Sequence, residues 1–131
     1  KLWLRVKLNV QRMNTSGGGA MTTHIENFGI IVATQGIRKD VPTELLERIV
    51  ERYINKDWGE LPQDKKEMND EIVNKANGSG RILANYKDAC NGKDIWIMTY
   101  GYGLKKEDIP EGAEYTLNDC CNTTVLFPEE Y

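Results

Sequence analysis

Histidine is almost missing from this chain, whose 131 residues contain only His24, and cysteine is limited to Cys90, Cys120 and Cys121. A structural zinc ion normally takes four ligands of these types, in clusters such as C-x2–4-C. Two of the three cysteines are adjacent and the third lies far from them in the sequence. The spacing therefore predicts no metal site, and no other motif requires a cofactor.

The odd number of cysteines also argues against a disulfide framework. Neighbouring Cα atoms lie ~3.8 Å apart across a trans peptide, which is less than the ~4.4 Å that disulfides usually need, so a Cys120–Cys121 bridge would be strained. The N-terminal stretch has no signal-peptide pattern. We therefore predict free, packed thiols and a reducing, cytoplasmic compartment.

Long apolar runs and a basic face are missing as well. No run approaches the ~18 apolar residues of a spanning helix, so no membrane span is predicted. Residues 1–20 hold four of the 17 basic residues and none of the 20 acidic ones, which leaves 13 basic against 20 acidic residues in 21–131. A duplex binder typically neutralises ~6–10 phosphates with a clustered basic face. The sequence therefore disfavours nucleic acid as a partner.

Catalytic motifs are not found either. The segment GSGR lacks the Lys-Ser/Thr pair of a phosphate-binding loop, and Glu129 and Glu130 point to opposite sides of an extended chain. A nucleophilic Cys90 or Cys121 would need His24 beside it in space, which the spacing does not require. Nothing in the sequence supports an enzyme, and a small cysteine-dependent enzyme is kept only as an alternative.

The first twenty residues differ from the rest. KLWLRVKLNV alternates apolar and polar residues with the period of a half-buried strand, and TSGGGA has the composition of a flexible linker before Met21. We predict that residues 1–20 are an engineered leader or fused peptide and that residues 21–131 form a single α+β domain. The alternative is a native N-terminal hairpin strand. Residues 2–10, if ordered, are expected to pair with an exposed sheet edge.

The remaining chain alternates between strand and helix patterns. NFGIIVATQGI predicts a strand that ends at Gly36, and DVPTELLERIVERYINKD predicts a helix with Asp40 as its N-cap. PQDKKEMNDEIVNKAN predicts a second helix. RILANY, DIWIMT and TTVLF predict three strands, the first two joined by a type I′ turn at Asn91-Gly92. The expected fold is α+β: one strand, two helices, then a three-stranded antiparallel meander with the helices packed on one sheet face.

The connection over residues 100–122 is too long for a simple hairpin, and loops beyond ~12–15 residues are usually functional or mobile. It carries Tyr100, Tyr102 and Tyr115, whose rings offer rigid amphipathic contact surface. We predict that these three residues bind a partner. Trp58 is a fourth candidate, although its first expected role is to anchor the turn after the first helix on the body of the protein. The connection could also be an extended hairpin whose tyrosines cover the body of the protein.

Five segments, in the order IVATQGI, DWGEL, RILANY, KDIWIMT and TTVLFPEEY, resemble a family of small, biochemically uncharacterised proteins carried by bacterial plasmids and integrative elements. The resemblance covers residues 28–131, and some members are loosely labelled type I restriction-modification subunits. Family members usually join the last two strands by a short polar turn with an Asp-Arg-Ser-like element, where this chain has YGYG…DCCN. The resemblance implies a mobile-element context and brings no catalytic residues.

The leading prediction is a small, non-enzymatic binding or regulatory protein of a bacterial mobile element. Its expected partner is a protein, with a host-defence protein as one candidate. A nucleic-acid-associated accessory protein linked to restriction-modification is the other alternative.

Overall fold

The computed structural model describes the backbone of residues 3–5 and all of residues 24–131. The strands are β1 (Trp3–Arg5), β2 (His24–Ile25), β3 (Gly29–Thr34), β4 (Arg81–Cys90), β5 (Lys93–Tyr100) and β6 (Asn122–Leu126). The helices are α1 (Gln35–Asp40), α2 (Thr43–Ile54), α3 (Gln63–Lys75) and α4 (Leu117–Cys120), with 3-10 turns at Lys106–Asp108 and Pro128–Glu130. The predicted α+β class is confirmed. Within these described residues, no helix has the length and apolar character to cross a membrane.

The strands form one mixed sheet in the order β1-β3-β6-β5-β4, with β2 also paired to β3. β6 runs parallel to β3 and antiparallel to β5, and β4 runs antiparallel to β5. The predicted element order and three-stranded meander are therefore not matched. The reason is edge pairing: a position between β3 and β5 gives β6 backbone partners on both sides, whereas the end of a meander would leave an exposed edge.

β3 is followed directly by a short helix, α1, that the sequence did not predict. The Oγ1 of Thr34 accepts a hydrogen bond from the backbone N–H of Ile37 at 3.3 Å, so Thr34 caps α1. The predicted strand end at Gly36 and the predicted N-cap at Asp40 are both wrong, because both residues lie inside α1. Gly36 lies close to the carboxylate of Glu130: a Cβ on it would be 2.7 Å from a carboxylate oxygen, so a larger residue would require the Glu130 side chain to shift.

The core lies between one face of the sheet and the helices. Along β5, Ile95 and Ile97 are fully buried and belong to the main hydrophobic cluster. The same cluster contains Leu46, Ile49, Val50 and Tyr53 of α2. The other face of β5 carries Trp96 and Met98, since alternate residues of a strand point to opposite faces.

Residues outside the sheet cover the outer edge of β4. The Nδ2 of Asn69 in α3 donates to the carbonyl oxygen of Leu83 at 2.9 Å. The backbone of Asn85 pairs with the turn after α2, donating to the Trp58 carbonyl oxygen at 3.2 Å and accepting from the Glu60 N–H at 2.7 Å. These bonds satisfy edge groups that would otherwise recruit another strand.

A chain of buried hydroxyls connects α2, β5 and β6 to the turn before β3. The Oη of Tyr53 lies 2.6 Å from the Oγ1 of Thr99, which lies 2.7 Å from the Oγ1 of Thr123. Thr123 donates to the carbonyl oxygen of Phe28 at 2.7 Å. Each hydroxyl has one proton, so the direction is fixed: Thr99 donates to Thr123, and Tyr53 donates to Thr99.

The Asn91-Gly92 turn is confirmed, with φ values of 51° and 76°. Just before it, β4 contains an irregularity: Tyr86 is opposite Ile95, but Cys90 is opposite Lys93. Four residue steps on β4 therefore match two on β5. This bulge sets which residues of the two strands face each other beyond it.

Of residues 1–20, the structure describes only Trp3–Arg5, which pairs antiparallel with β3 so that Trp3 is opposite Thr34 and Arg5 is opposite Val32. The rest of the 2–10 segment and the TSGGGA stretch lie outside the described residues.

Candidate protein-contact surface

The four predicted contact residues fall into two groups. Tyr100 and Tyr115 have exposed fractions of 44% and 45%, whereas Trp58 and Tyr102 are each only 3% exposed. The buried pair cannot offer ring surface to a partner in this fold. The structure thus leaves Tyr100 and Tyr115 as surface candidates.

Trp58 is an internal anchor. Its Nε1–H donates to the Oδ1 of Asp70 in α3 at 2.9 Å. Its ring meets Tyr53 of α2 edge-on, with the ring centroids 5.4 Å apart. A tryptophan with its N–H bonded and its ring stacked in the core fixes the turn between the two helices.

Tyr102 holds the start of the long connection against the body. Its ring packs edge-on against Phe28, with centroids 4.9 Å apart, and its carbonyl oxygen accepts from the N–H of Gly78 at 2.8 Å. Burial raises the pKa of its hydroxyl. The flanking Gly101 and Gly103 have φ values of 69° and 91°, and a Cβ on either would collide with a backbone carbonyl oxygen. The glycines therefore permit close packing here, and the segment is not a displayed loop.

Tyr100 belongs to a group of four side chains that we call the aromatic–arginine patch: Arg81, Trp96, Tyr100 and Tyr131. The Nη1 of Arg81 donates to the hydroxyl of Tyr131 at 2.9 Å and to that of Tyr100 at 3.4 Å. The ring of Tyr131 meets Trp96 edge-on at 5.9 Å between centroids. Tyr131 is 58% exposed. The patch therefore combines exposed aromatic surface with a cation held in place by two hydroxyls.

Strand register explains why the patch forms. Arg81 is directly opposite Tyr100 across β4 and β5, and Trp96 lies four residues before Tyr100 on the same face of β5. The hydroxyl of Tyr100, followed by that of Tyr131, raises the pKa of Arg81 further above its ordinary value. The guanidinium group remains charged, so the patch presents a permanent cation beside its aromatic rings.

An apolar floor lies on the same sheet face as the patch. Met98 is buried, between Trp96 and Tyr100 on the strand, and Leu126 of β6, opposite Trp96, is fully buried. The rings thus stand on a packed sheet. Arg81, Trp96 and Tyr131 were not among the predicted contact residues; Trp96 could have been found, because it lies four residues before Tyr100 and so on the same face of β5.

The rest of the long connection folds against the turn between β2 and β3 and leaves a cleft of about 410 Å³. His24, Asn27, Lys105 and Cys121 are among the residues that line it. The Nζ of Lys105 donates to the Oδ1 of Asn27 and lies 3.9 Å from a carboxylate oxygen of Glu26. The cleft mixes both signs of charge and points to no single ligand.

This cleft brings His24 and Cys121 to the same place, yet the thiol is not activated. Its Sγ donates to the carbonyl oxygen of Asn27 at 3.4 Å, and burial raises the pKa of Cys121. A nucleophilic cysteine needs a lowered pKa. Cys90 is buried as well, with its Sγ 3.6 Å from the Asp40 carbonyl oxygen. The geometry gives a cysteine-dependent enzyme no support.

All three cysteines are free thiols. In residues 3–5 and 24–131, no group of three or more histidine, cysteine, aspartate or glutamate side chains could hold a metal ion.

Comparison of the chain with protein-family models, with curated proteins and with solved structures finds no match. The likeness to mobile-element proteins accordingly stays a prediction from the sequence.

Proposed function

We propose that this protein is a small, non-enzymatic protein-binding module and that the aromatic–arginine patch is its contact surface. The observation that carries the proposal is the position of Arg81, bonded to the hydroxyls of both Tyr100 and Tyr131. Tyrosine, tryptophan and arginine are the residue types that dominate binding energy at protein interfaces. Here Arg81, Trp96 and Tyr100 lie on two adjacent strands of one sheet, and Tyr131 packs beside them from the segment after β6.

Pre-organisation supports the same proposal. Ordering a free side chain at an interface costs ~0.5–1.5 kcal/mol, and part of that cost is met in advance when the side chain is already held. Arg81 and Tyr100 are paired across β4 and β5, and Tyr131 is held by Arg81 and Trp96. The patch can therefore bind with little rearrangement. A regulatory role in a mobile element, with a host-defence protein as partner, would follow from the family resemblance and is part of this proposal.

Affinity capture from bacterial lysate, followed by binding measurements on the captured protein, tests the proposal. We expect Tyr100→Ala to weaken binding at least about tenfold, as for an interface hot spot. Met68→Ala on α3 is the matched control, because Met68 is also exposed, at 54%, but lies outside the patch. Circular dichroism checks that each variant is folded.

Tyr115→Ala provides the contrasting arm. Loss of binding in Tyr115→Ala with full binding in Tyr100→Ala would move the contact surface to the long connection and refute the patch. Steeply salt-dependent binding to DNA in place of protein would favour the nucleic-acid-accessory alternative.

A further inference from the structure

The outer edge of β3 is shared by two short strands that lie in line. Arg5 of β1 is opposite Val32, and His24 of β2 is opposite Ile30. Both strands run antiparallel to β3. Arg5 and His24 therefore pair with positions of β3 that are two residues, or roughly 7 Å, apart.

Among residues 24–131, none pairs with the next short stretch of this edge. β2 occupies the edge at Gly29 and Ile30, and α1 begins at Gln35. Among the described residues, only Trp3–Arg5 pairs with Val32–Thr34 on this side. In the sequence, residues 6–23 separate this strand from β2.

We propose that Val32–Thr34 is a strand-accepting site, filled here by the chain's own Trp3–Arg5 and open to an extended segment of a partner protein. Strand addition to a sheet edge is a common mode of peptide recognition, because the main-chain hydrogen bonds depend little on sequence. The seated strand shows that this edge accepts an antiparallel segment. This site is separate from the aromatic–arginine patch.

Charge indicates what kind of segment fits. The stretch that supplies the seated strand carries Lys1, Arg5, Lys7 and Arg12 and no acidic residue, whereas residues 21–131 have 13 basic against 20 acidic residues. Opposite charge favours association with the acidic body. The fitting partner segment is therefore extended, basic, and alternates apolar and polar residues.

The chain's own strand competes with such a partner. A strand that is joined covalently to the sheet it pairs with acts at an effective concentration that can reach the order of millimolar. A partner then binds only the fraction of molecules whose edge is open, and its apparent affinity falls in proportion. Removal of β1 from the edge should accordingly strengthen binding.

A labelled peptide with the sequence of residues 1–10 provides the probe, with the full chain as receptor. Leu4→Pro in the receptor removes a backbone donor and disfavours β1 on the edge. We expect the Leu4→Pro receptor to bind the peptide at least about tenfold more tightly than the unmodified chain, as for a site open in at most about a tenth of molecules. A peptide carrying Leu4→Pro itself should not bind, and amide shifts at Ile31–Thr34 should locate the site.

A second receptor keeps the test independent of the proline. Arg5 and Val32 face each other, and facing residues in antiparallel strands have Cα atoms ~4.5–5.5 Å apart, within the range of disulfides. An Arg5→Cys/Val32→Cys receptor, with Cys120→Ser to remove the one native thiol that is not buried, should bind no peptide when oxidised and recover binding when reduced.

Three results would overturn the proposal. The first is failure of the folded Leu4→Pro receptor to bind the peptide. The second is peptide binding by the oxidised disulfide receptor that equals binding by its reduced form. The third is a disulfide formed mainly between two chains, seen as a covalent dimer on a non-reducing gel, because the edge would then serve a second copy of this chain. Tyr100→Ala should leave peptide binding unchanged.

Discussion

The buried hydroxyl chain allows a quantitative test of the fold. Thr99→Val is nearly isosteric and removes the oxygen that accepts from Tyr53 and donates to Thr123. The Tyr53 hydroxyl is then buried without an acceptor, which costs about 1–3 kcal/mol. Thr123 loses only an incoming bond, because it still donates to Phe28. Loss of the Thr99–Thr123 hydrogen bond adds about 0.5–1 kcal/mol, and the added methyl group recovers about 0.8 kcal/mol, so we expect a net loss of about 2 kcal/mol.

Urea unfolding followed by tryptophan fluorescence measures this loss. With m of roughly 2 kcal/mol/M, the midpoint should fall by about 1 M while m stays constant. Thr124→Val is the matched control, since Thr124 is a neighbouring threonine that points to the opposite face of β6. The control should change the free energy of unfolding by less than about 0.5 kcal/mol.

A double-mutant cycle decides whether the hydrogen bond is the cause. Tyr53→Phe removes the buried hydroxyl that would otherwise lose its acceptor. In that background, Thr99→Val should therefore lower the free energy of unfolding by at most about 1 kcal/mol. The coupling energy should be about 1–2 kcal/mol. If Thr99→Val costs the same in both backgrounds, the loss comes from packing, and the proposed direction of the hydroxyl chain is refuted.

The remaining predictions concern alkaline stability and one glycine. Burial raises the pKa of Tyr53 far above its ordinary value, so unfolding releases a proton above about pH 10. The contribution of Tyr53 to the free energy of unfolding is intact below that pH and falls by at most about 1.4 kcal/mol per pH unit above it. Urea titrations from pH 8 to 11.5 should therefore show a shallower decline of the free energy of unfolding with pH in Tyr53→Phe than in the unmodified protein. Gly59→Ala should lower the free energy of unfolding by at least about 2 kcal/mol, measured by thermal unfolding. The reason is that φ of Gly59 is 74° and a Cβ there would lie 2.0 Å from the Asn85 carbonyl oxygen. Gly92→Ala has a similar φ of 76° with open space around it, so its cost should be only about 1 kcal/mol, and equal losses would contradict the steric argument.

The tyrosines show how far sequence reasoning reaches at the candidate surface. Tyr100 and Tyr102 look equivalent in the sequence, and both were predicted to contact a partner. In the structure Tyr102 is 3% exposed and Tyr100 is 44% exposed. Gly101, with a φ of 69°, turns the chain between them. A turn that buries one ring while exposing the other has no local sequence pattern of its own.

The partners of Tyr100 depended on a bulge. Counting back from the Asn91-Gly92 turn with regular pairing would place Arg81 opposite Tyr102. The irregularity between Tyr86 and Cys90 shifts the register by two residues, so that Arg81 faces Tyr100 instead. A bulge of this kind changes the cross-strand partner of every residue beyond it.

By itself, the sequence determined the properties that depend on near neighbours: the apolar stripe of α2, the alternation along β5, the Asn91-Gly92 turn and the α+β class. Those follow from helix and strand periods and from the φ that each residue type allows. Only the tertiary structure decided that β6 lies between β3 and β5, that Arg81 meets Tyr100, and that Trp3–Arg5 pairs with β3. Each of these depends on backbone pairing between segments far apart in the chain, where the hydrogen bonds are alike for most side chains and local sequence cannot select among them.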